Sequence, residues 1–245
     1  MRQIVFATRN RKELLRDPIS LVFGIGLPVV LLGLISIIQN SVPDSVAIFE
    51  LKNFVPGIAV FSFSFLSMFS GMLIAKDRTS SFLARLFASP MKASEYIVGY
   101  SLPLLPLALL QSVVCFLVAF LLGLPFNSNV ILSIIVLLPS AFLFIGLGLL
   151  MGSVFTDKQV GGIASILVQV AALSSGMWFD LDVIGGSLRT ICYMLPFAHA
   201  VDAAQAALAG DYASILVPLI WVTVYATGIF TVAVVLFKKK MYSDN

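Results

Sequence analysis

Charge is scarce in this sequence. Asp, Glu, Lys and Arg make up 11% of its 245 residues while 60% are hydrophobic, and the mean hydropathy is +1.05. A soluble globular domain carries about a quarter of its residues as charges, so that class is excluded and the chain reads as an integral membrane protein. Histidine occurs once, as His199, and cysteine twice, as Cys115 and Cys192. One His without a close Cys gives no metal-ligand spacing. Two cysteines so far apart do not suggest a disulfide framework and read as packing residues. No GxxxxGK[ST] phosphate loop is present, so the chain does not hold nucleotide in that way. A nucleophile with its base, or a paired-carboxylate motif, is also missing, which argues against a membrane-embedded enzyme.

What the chain has instead is long runs without Asp, Glu, Lys or Arg. Where water is absent every backbone polar group must be satisfied internally, so an apolar run of about 20 residues crosses as a helix. The runs predict spans over about 19–38, 54–75, 96–122, 130–155, 159–179 and 212–237. The long run between Tyr96 and Thr156 is divided at the turn-forming GLPFNSN segment, Gly123 to Asn129. The fold class is therefore all-α integral membrane, six spans in one domain over 1–245. No small-residue cleavage site follows the first apolar run, which reads as a retained anchor.

Lys and Arg set the orientation, because short cytoplasmic loops carry the excess. Arg2, Arg9, Arg11, Lys12 and Arg16 precede the first span; Lys76, Arg78, Arg85 and Lys92 lie between spans two and three; Lys158 and Lys238 to Lys240 follow on the same side. Lys52 and Arg189 alone fall opposite. Both termini are thus expected in the cytoplasm. Residues 1–18 mix basic and apolar side chains ahead of Pro18, as an interfacial helix would; a solvated basic leader is the alternative. On the outer side, Asp180 to Asp211 is broken by Gly185, Gly186, Arg189 and Pro196, and short helices are expected there.

The segment Lys76 to Glu95 (KDRTSSFLARLFASPMKASE) is a charged island between apolar runs. Phe82, Leu83, Leu86 and Phe87 share one helical face, Thr79 or Ser80 can cap the start, and Pro90 stops the helix. Such a helix fits a groove on a partner protein or the lipid headgroup layer. Within the spans, polar and aromatic residues of the second (Phe61, Phe65, Ser67, Met68) and fifth (Ser165, Gln169, Ser175) are candidates for a path, against the ordinary role of small residues in helix packing. Gly148 and Gly152 carry the small-residue crossing pattern. No ionisable residue sits inside a span, which disfavours an ion-coupled carrier.

Residues Asp77 to Pro90 (DRTSSFLARLFASP) resemble the loop between spans two and three of ABC-2 type permeases, the membrane subunits of bacterial ATP-driven exporters. Ser175 to Phe179 (SGMWF) and Leu195 to Asp202 (LPFAHAVD) are similar to two later family segments. Ser80 and Ser81, Asp180, and Gln205 with Ala206 depart from the usual pattern.

The resemblance covers essentially the whole chain. It implies a permease dimer, homo- or heteromeric, in the bacterial plasma membrane with two separate ATPase subunits that hold ATP and Mg. This chain would bind no cofactor, metal or nucleic acid. Phe82, Leu83, Arg85, Leu86, Phe87 and Pro90 would form the ATPase-docking element. Trp178, Phe179, Pro196, His199 and Asp202 would belong to an outer gate. A small amphiphilic cargo, such as a drug, antibiotic or peptide, is the first expectation; a lipid-linked glycan, or a non-transporting immunity or sensor role, is the alternative.

Overall fold

The computed structural model describes residues 2–41, 49–79 and 91–243. Every regular element among them is a helix. Helix α1 (Arg2–Leu15) is followed by α2 (Pro18–Leu21), a π-helical turn (Val22–Gly26) and α3 (Leu27–Ser41). Next come α4 (Leu51–Thr79), α5 (Ala93–Ser101), α6 (Leu104–Leu121), α7 (Asn129–Val136), α8 (Leu138–Val154) and α9 (Asp157–Ser174). Three short helices, α10 (Leu181–Ile184), α11 (Gly186–Met194) and α12 (Pro196–Ala209), lead through a 3-10 turn (Tyr212–Ser214) to α13 (Leu216–Ser243).

Prolines explain where the apolar runs break, and side-chain amides repair two of the breaks. Proline offers no N–H to the carbonyl four residues back and its ring pushes against it. Pro28 thus cannot donate to the Gly24 carbonyl inside the π turn, and Gln111 Nε2 donates to it at 2.9 Å. The same holds for Pro103 and the Gly99 carbonyl at the junction of α5 and α6, and Asn10 Nδ2 donates to it at 3.1 Å. Unpaired backbone groups in a dry interior cost about 1–3 kcal/mol each, so both amides are structural.

Helix α4 is the buried axis of the bundle, packed chiefly on α8 and α9, while the other face of α8 packs on α13. The α4–α8 crossing is close because it lacks side chains. A Cβ at Gly148 would run into Ser70 Oγ and the Ser67 carbonyl, and one at Gly152 would meet Gly71. Ser70 also donates to the Ile145 carbonyl of α8 at 3.2 Å. The glycine pair read from the sequence is thus a crossing within the subunit.

The bundle has a basic end and an opposite end. At the basic end Arg78, finishing α4, donates to the Gly152 and Phe155 carbonyls that finish α8, at 2.8 and 3.2 Å. Tyr96 of α5 meets Phe237 of α13 there, with ring centroids 6.0 Å apart. At the opposite end Phe54 of α4 packs on Trp178, Gln205 of α12 donates to the Asn53 carbonyl at 2.7 Å, and Tyr212 donates to Asn129 at 3.0 Å.

Among the described residues, five segments are long and apolar enough to cross a membrane: Val22–Gln39, Leu51–Arg78, Ala93–Leu121, Asn129–Val154 and Tyr212–Lys239. The expected span over 159–179 is helix α9, which is not among the five; its first turn holds Asp157, Lys158 and Gln159, and Gln169 follows. It nevertheless starts beside the Arg78 contact, and the turn that follows it puts Met177 against Gly57 near the start of α4. The expected single spans over 96–122 and 130–155 are each two helices, divided before Pro103 and before Pro139.

Candidate functional site

The Asp77–Pro90 region is the starting point, because its two stems are described even though Phe82, Leu83, Arg85, Leu86, Phe87 and Pro90 lie outside the described residues. The first stem is the end of α4, where Asp77 is almost fully buried. Arg9 of α1 grips its carboxylate with both guanidinium nitrogens, at 2.6 and 2.8 Å, and Tyr100 of α5 donates to it at 2.8 Å. Burial works against the Arg9 charge, but the Asp77 hydrogen bond and the fields of Asp77 and Glu13 outweigh it and raise its pKa above the ordinary guanidinium value. Glu13 extends the network to Arg9 at 2.8 Å and to Lys76 at 2.9 Å.

The second stem is the start of α5. Glu95 accepts from its own helix end through the Lys92 N–H at 2.7 Å and from Gln3 of α1 at 2.9 Å. Phe6 of α1 lies edge-on between Tyr96 and Tyr100, over the bare Cα of Gly99. A charge pair, an amide and an aromatic contact therefore join one amphipathic helix to both ends of the loop. Displacement of that loop would be felt by α1, α4 and α5 together.

The candidate path residues divide into three settings. Phe61 and Phe65 are buried on α4 and pack edge to face, 5.6 Å between centroids, while Met68 is half-buried beside the core. Ser67 is fully buried and its hydroxyl bonds the Ser64 carbonyl. Ser165 and Gln169 lie exposed on α9, with Ser165 donating back to Gly161 at 2.9 Å. Ser175 is buried in the turn after α9, between the Ala172 carbonyl and the Met177 N–H. The structure does not bring the seven to one surface.

At the opposite end the gate candidates do gather. Trp178 covers Phe54, Phe179 packs beside Leu181 and Cys192, and Pro196 opens α12. His199 lies parallel to Trp221 of α13, 5.3 Å away, with Tyr193 edge-on at 5.4 Å. Its Nε2 is 3.0 Å from the Tyr193 carbonyl. Tyr193 faces Asp202, and Arg189, paired with Asp182, stacks over the Tyr193 ring at 4.8 Å. Burial raises the Asp202 pKa, opposed by the Tyr193 hydroxyl and His199. Burial likewise pushes the Tyr193 phenol up, helped by Asp202.

Sequence reading missed Arg9, Asn10 and Tyr100 at the basic end and Trp221 at the other. Asp77 carried a signal, being the acidic residue next to Lys76, which closes a charge-free run.

The profile of a family described as ABC-2 type transporter matches residues 3–209. The chain is also similar to a protein of Escherichia coli (strain K12) described as probable multidrug ABC transporter permease YbhS, 26% identical over 159 residues. That match covers 62% of this chain and 41% of the relative. The protein of the same description in Escherichia coli O157:H7 matches to the same extent. The chain thus spans about two fifths of the length of these relatives. With the family profile covering both loop stems and the outer helices, the chain belongs to the ABC-2 type transporter family.

Proposed function

We propose that the chain is the membrane subunit of an ATP-driven exporter, crossing the plasma membrane six times with both termini in the cytoplasm and α9 as the fifth crossing. A second permease subunit and two separate ATPase subunits complete the assembly, and ATP with Mg is held by those ATPases. Phe82, Leu83, Leu86 and Phe87 enter a groove of the ATPase, with Arg85 toward its acidic rim and Pro90 ending the helix. The observation that carries this reading is the attachment of α1 to both stems of that segment through Arg9–Asp77 and Gln3–Glu95. A force at the loop then moves whole helices instead of bending a slack connection.

The cargo is a small amphiphilic compound. Supporting this are the description of the relatives as probable multidrug permeases and the short stretches between the expected spans. Of the path candidates, Met68, Ser165 and Gln169, which are not buried, border its route. Trp178, Phe179, Pro196, His199 and Asp202 close its exit. Inverted vesicles holding this chain with its ATPases should accumulate an amphiphilic dye only when ATP is supplied. Accumulation without the ATPases, or none of any amphiphile with active ATPases present, would contradict the reading.

A further inference from the structure

A cavity of about 1120 Å³ opens at the basic end between α1, the end of α4 and the start of α9. Its floor is apolar: Phe69, Met72 and Leu73 lie one to two turns below Lys76, where the charge-free part of α4 ends. Its rim is charged. Of the rim cations, Arg9 and Lys76 are neutralised by Asp77 and Glu13, whereas the side chains of Lys12, Arg16 and Lys158 form no ion pair among the described residues. Asp17 and Asp157 share that rim, and Asp157 is turned to the Lys158 backbone N–H at 2.9 Å. The cavity is thus apolar below and net positive above.

We propose that this cavity binds the headgroup of an anionic phospholipid from the leaflet at the basic end, with Lys12, Arg16 and Lys158 around the phosphate and the upper acyl chain over Phe69, Met72 and Leu73. Each cation near an anionic membrane surface contributes attraction on a scale that makes three of them selective, and the apolar floor rejects a free, strongly hydrated anion. Neighbouring Val5 and Leu15 of α1 are exposed apolar side chains that lie at the same depth in lipid. The site depends only on insertion of the chain and not on transport.

The test uses the full chain carrying Met72→Trp, in phosphatidylcholine vesicles with rising amounts of brominated phosphatidylglycerol or brominated phosphatidylcholine. Quenching is read as the difference from the parent chain, whose Trp178 and Trp221 are retained. Brominated phosphatidylglycerol should half-quench at a mole fraction on the order of tenfold lower than brominated phosphatidylcholine. In K12Q/R16Q/K158Q the preference should shrink to about twofold or less, and Lys158→Glu alone should reduce it without altering helix content by circular dichroism. Equal quenching by both lipids, a preference unchanged in the triple variant, or displacement of the lipid by millimolar inorganic phosphate would overturn the proposal.

Discussion

Arg9 and Asp77 stand 68 residues apart in the chain and meet through two hydrogen bonds of 2.6 and 2.8 Å. The carboxylate is buried and the guanidinium is partly exposed, so the pair is a clamp whose worth lies in what it connects. It fastens the first helix to the end of the buried axis, beside the loop that we assign to ATPase docking.

Replacing Asp77 with Asn removes the two-point acidic partner of Arg9, which keeps Glu13, and weakens the Tyr100 contact. The variant should lose about 1–3 kcal/mol of stability, read by thermal unfolding in detergent. In a cycle with Arg9→Gln the two losses should be strongly non-additive. Additive losses would mean that the pair carries no coupling.

The α4–α8 crossing gives a steric prediction. Gly148→Val must displace Ser70 and the Ser67 carbonyl, and should destabilise the fold by about 1–3 kcal/mol or more. Gly33→Ala, where no atom lies within 4 Å of the new methyl, should be neutral or slightly stabilising. Equal melting temperatures for the two variants would contradict the crossing geometry.

Gln111 and Pro28 should behave as a compensating pair. Gln111→Leu removes the side-chain donor to the Gly24 carbonyl, at a cost of about 1–3 kcal/mol. Pro28→Ala restores an N–H that can take that carbonyl in a regular helix. The double variant should therefore recover most of the loss that Gln111→Leu causes alone, and a double variant worse than both singles would show that the π turn is held by something else.

Much of this architecture was legible because hydrocarbon imposes one rule on the backbone. Charge-free runs located α3, α4 and α13, and the Gly148–Gly152 spacing located the tight crossing. The breaks at Pro103 and Pro139 were not legible from charge alone, since a proline inside an apolar run shifts no hydropathy. Helix α9 was read as an ordinary span, but Asp157, Lys158 and Gln159 make its first turn polar. The Arg9–Asp77 pair joins residues whose proximity follows from α1 folding back along α5, which no local pattern encodes. The clustering of His199 with Trp221 likewise depends on α13 passing beside α12. The expected apolar face of Phe82, Leu83, Leu86 and Phe87 lies outside the described residues.

Asp202 predicts a pH dependence. Its folded pKa is raised, burial being the largest cause, so the folded state holds the proton more tightly than the unfolded chain does. That contribution to stability is fully present below the ordinary carboxylate pKa and is lost as pH rises through the raised folded value. The melting temperature should fall over that window in the parent chain and stay flatter in Asp202→Asn. His199 works in the opposite sense by favouring the carboxylate, so His199→Gln should steepen the fall. A parent profile no steeper than that of Asp202→Asn would contradict this assignment.

The central claim, that the segment between α4 and α5 docks an ATPase, is tested most directly by co-purification. An affinity-tagged chain carrying Phe82→Asp and Leu86→Asp, expressed with its ATPase, should reach the membrane at parental levels and yet lose most of the bound ATPase. Full retention of the ATPase by that variant, with ATP hydrolysis still stimulated by cargo, would contradict the account.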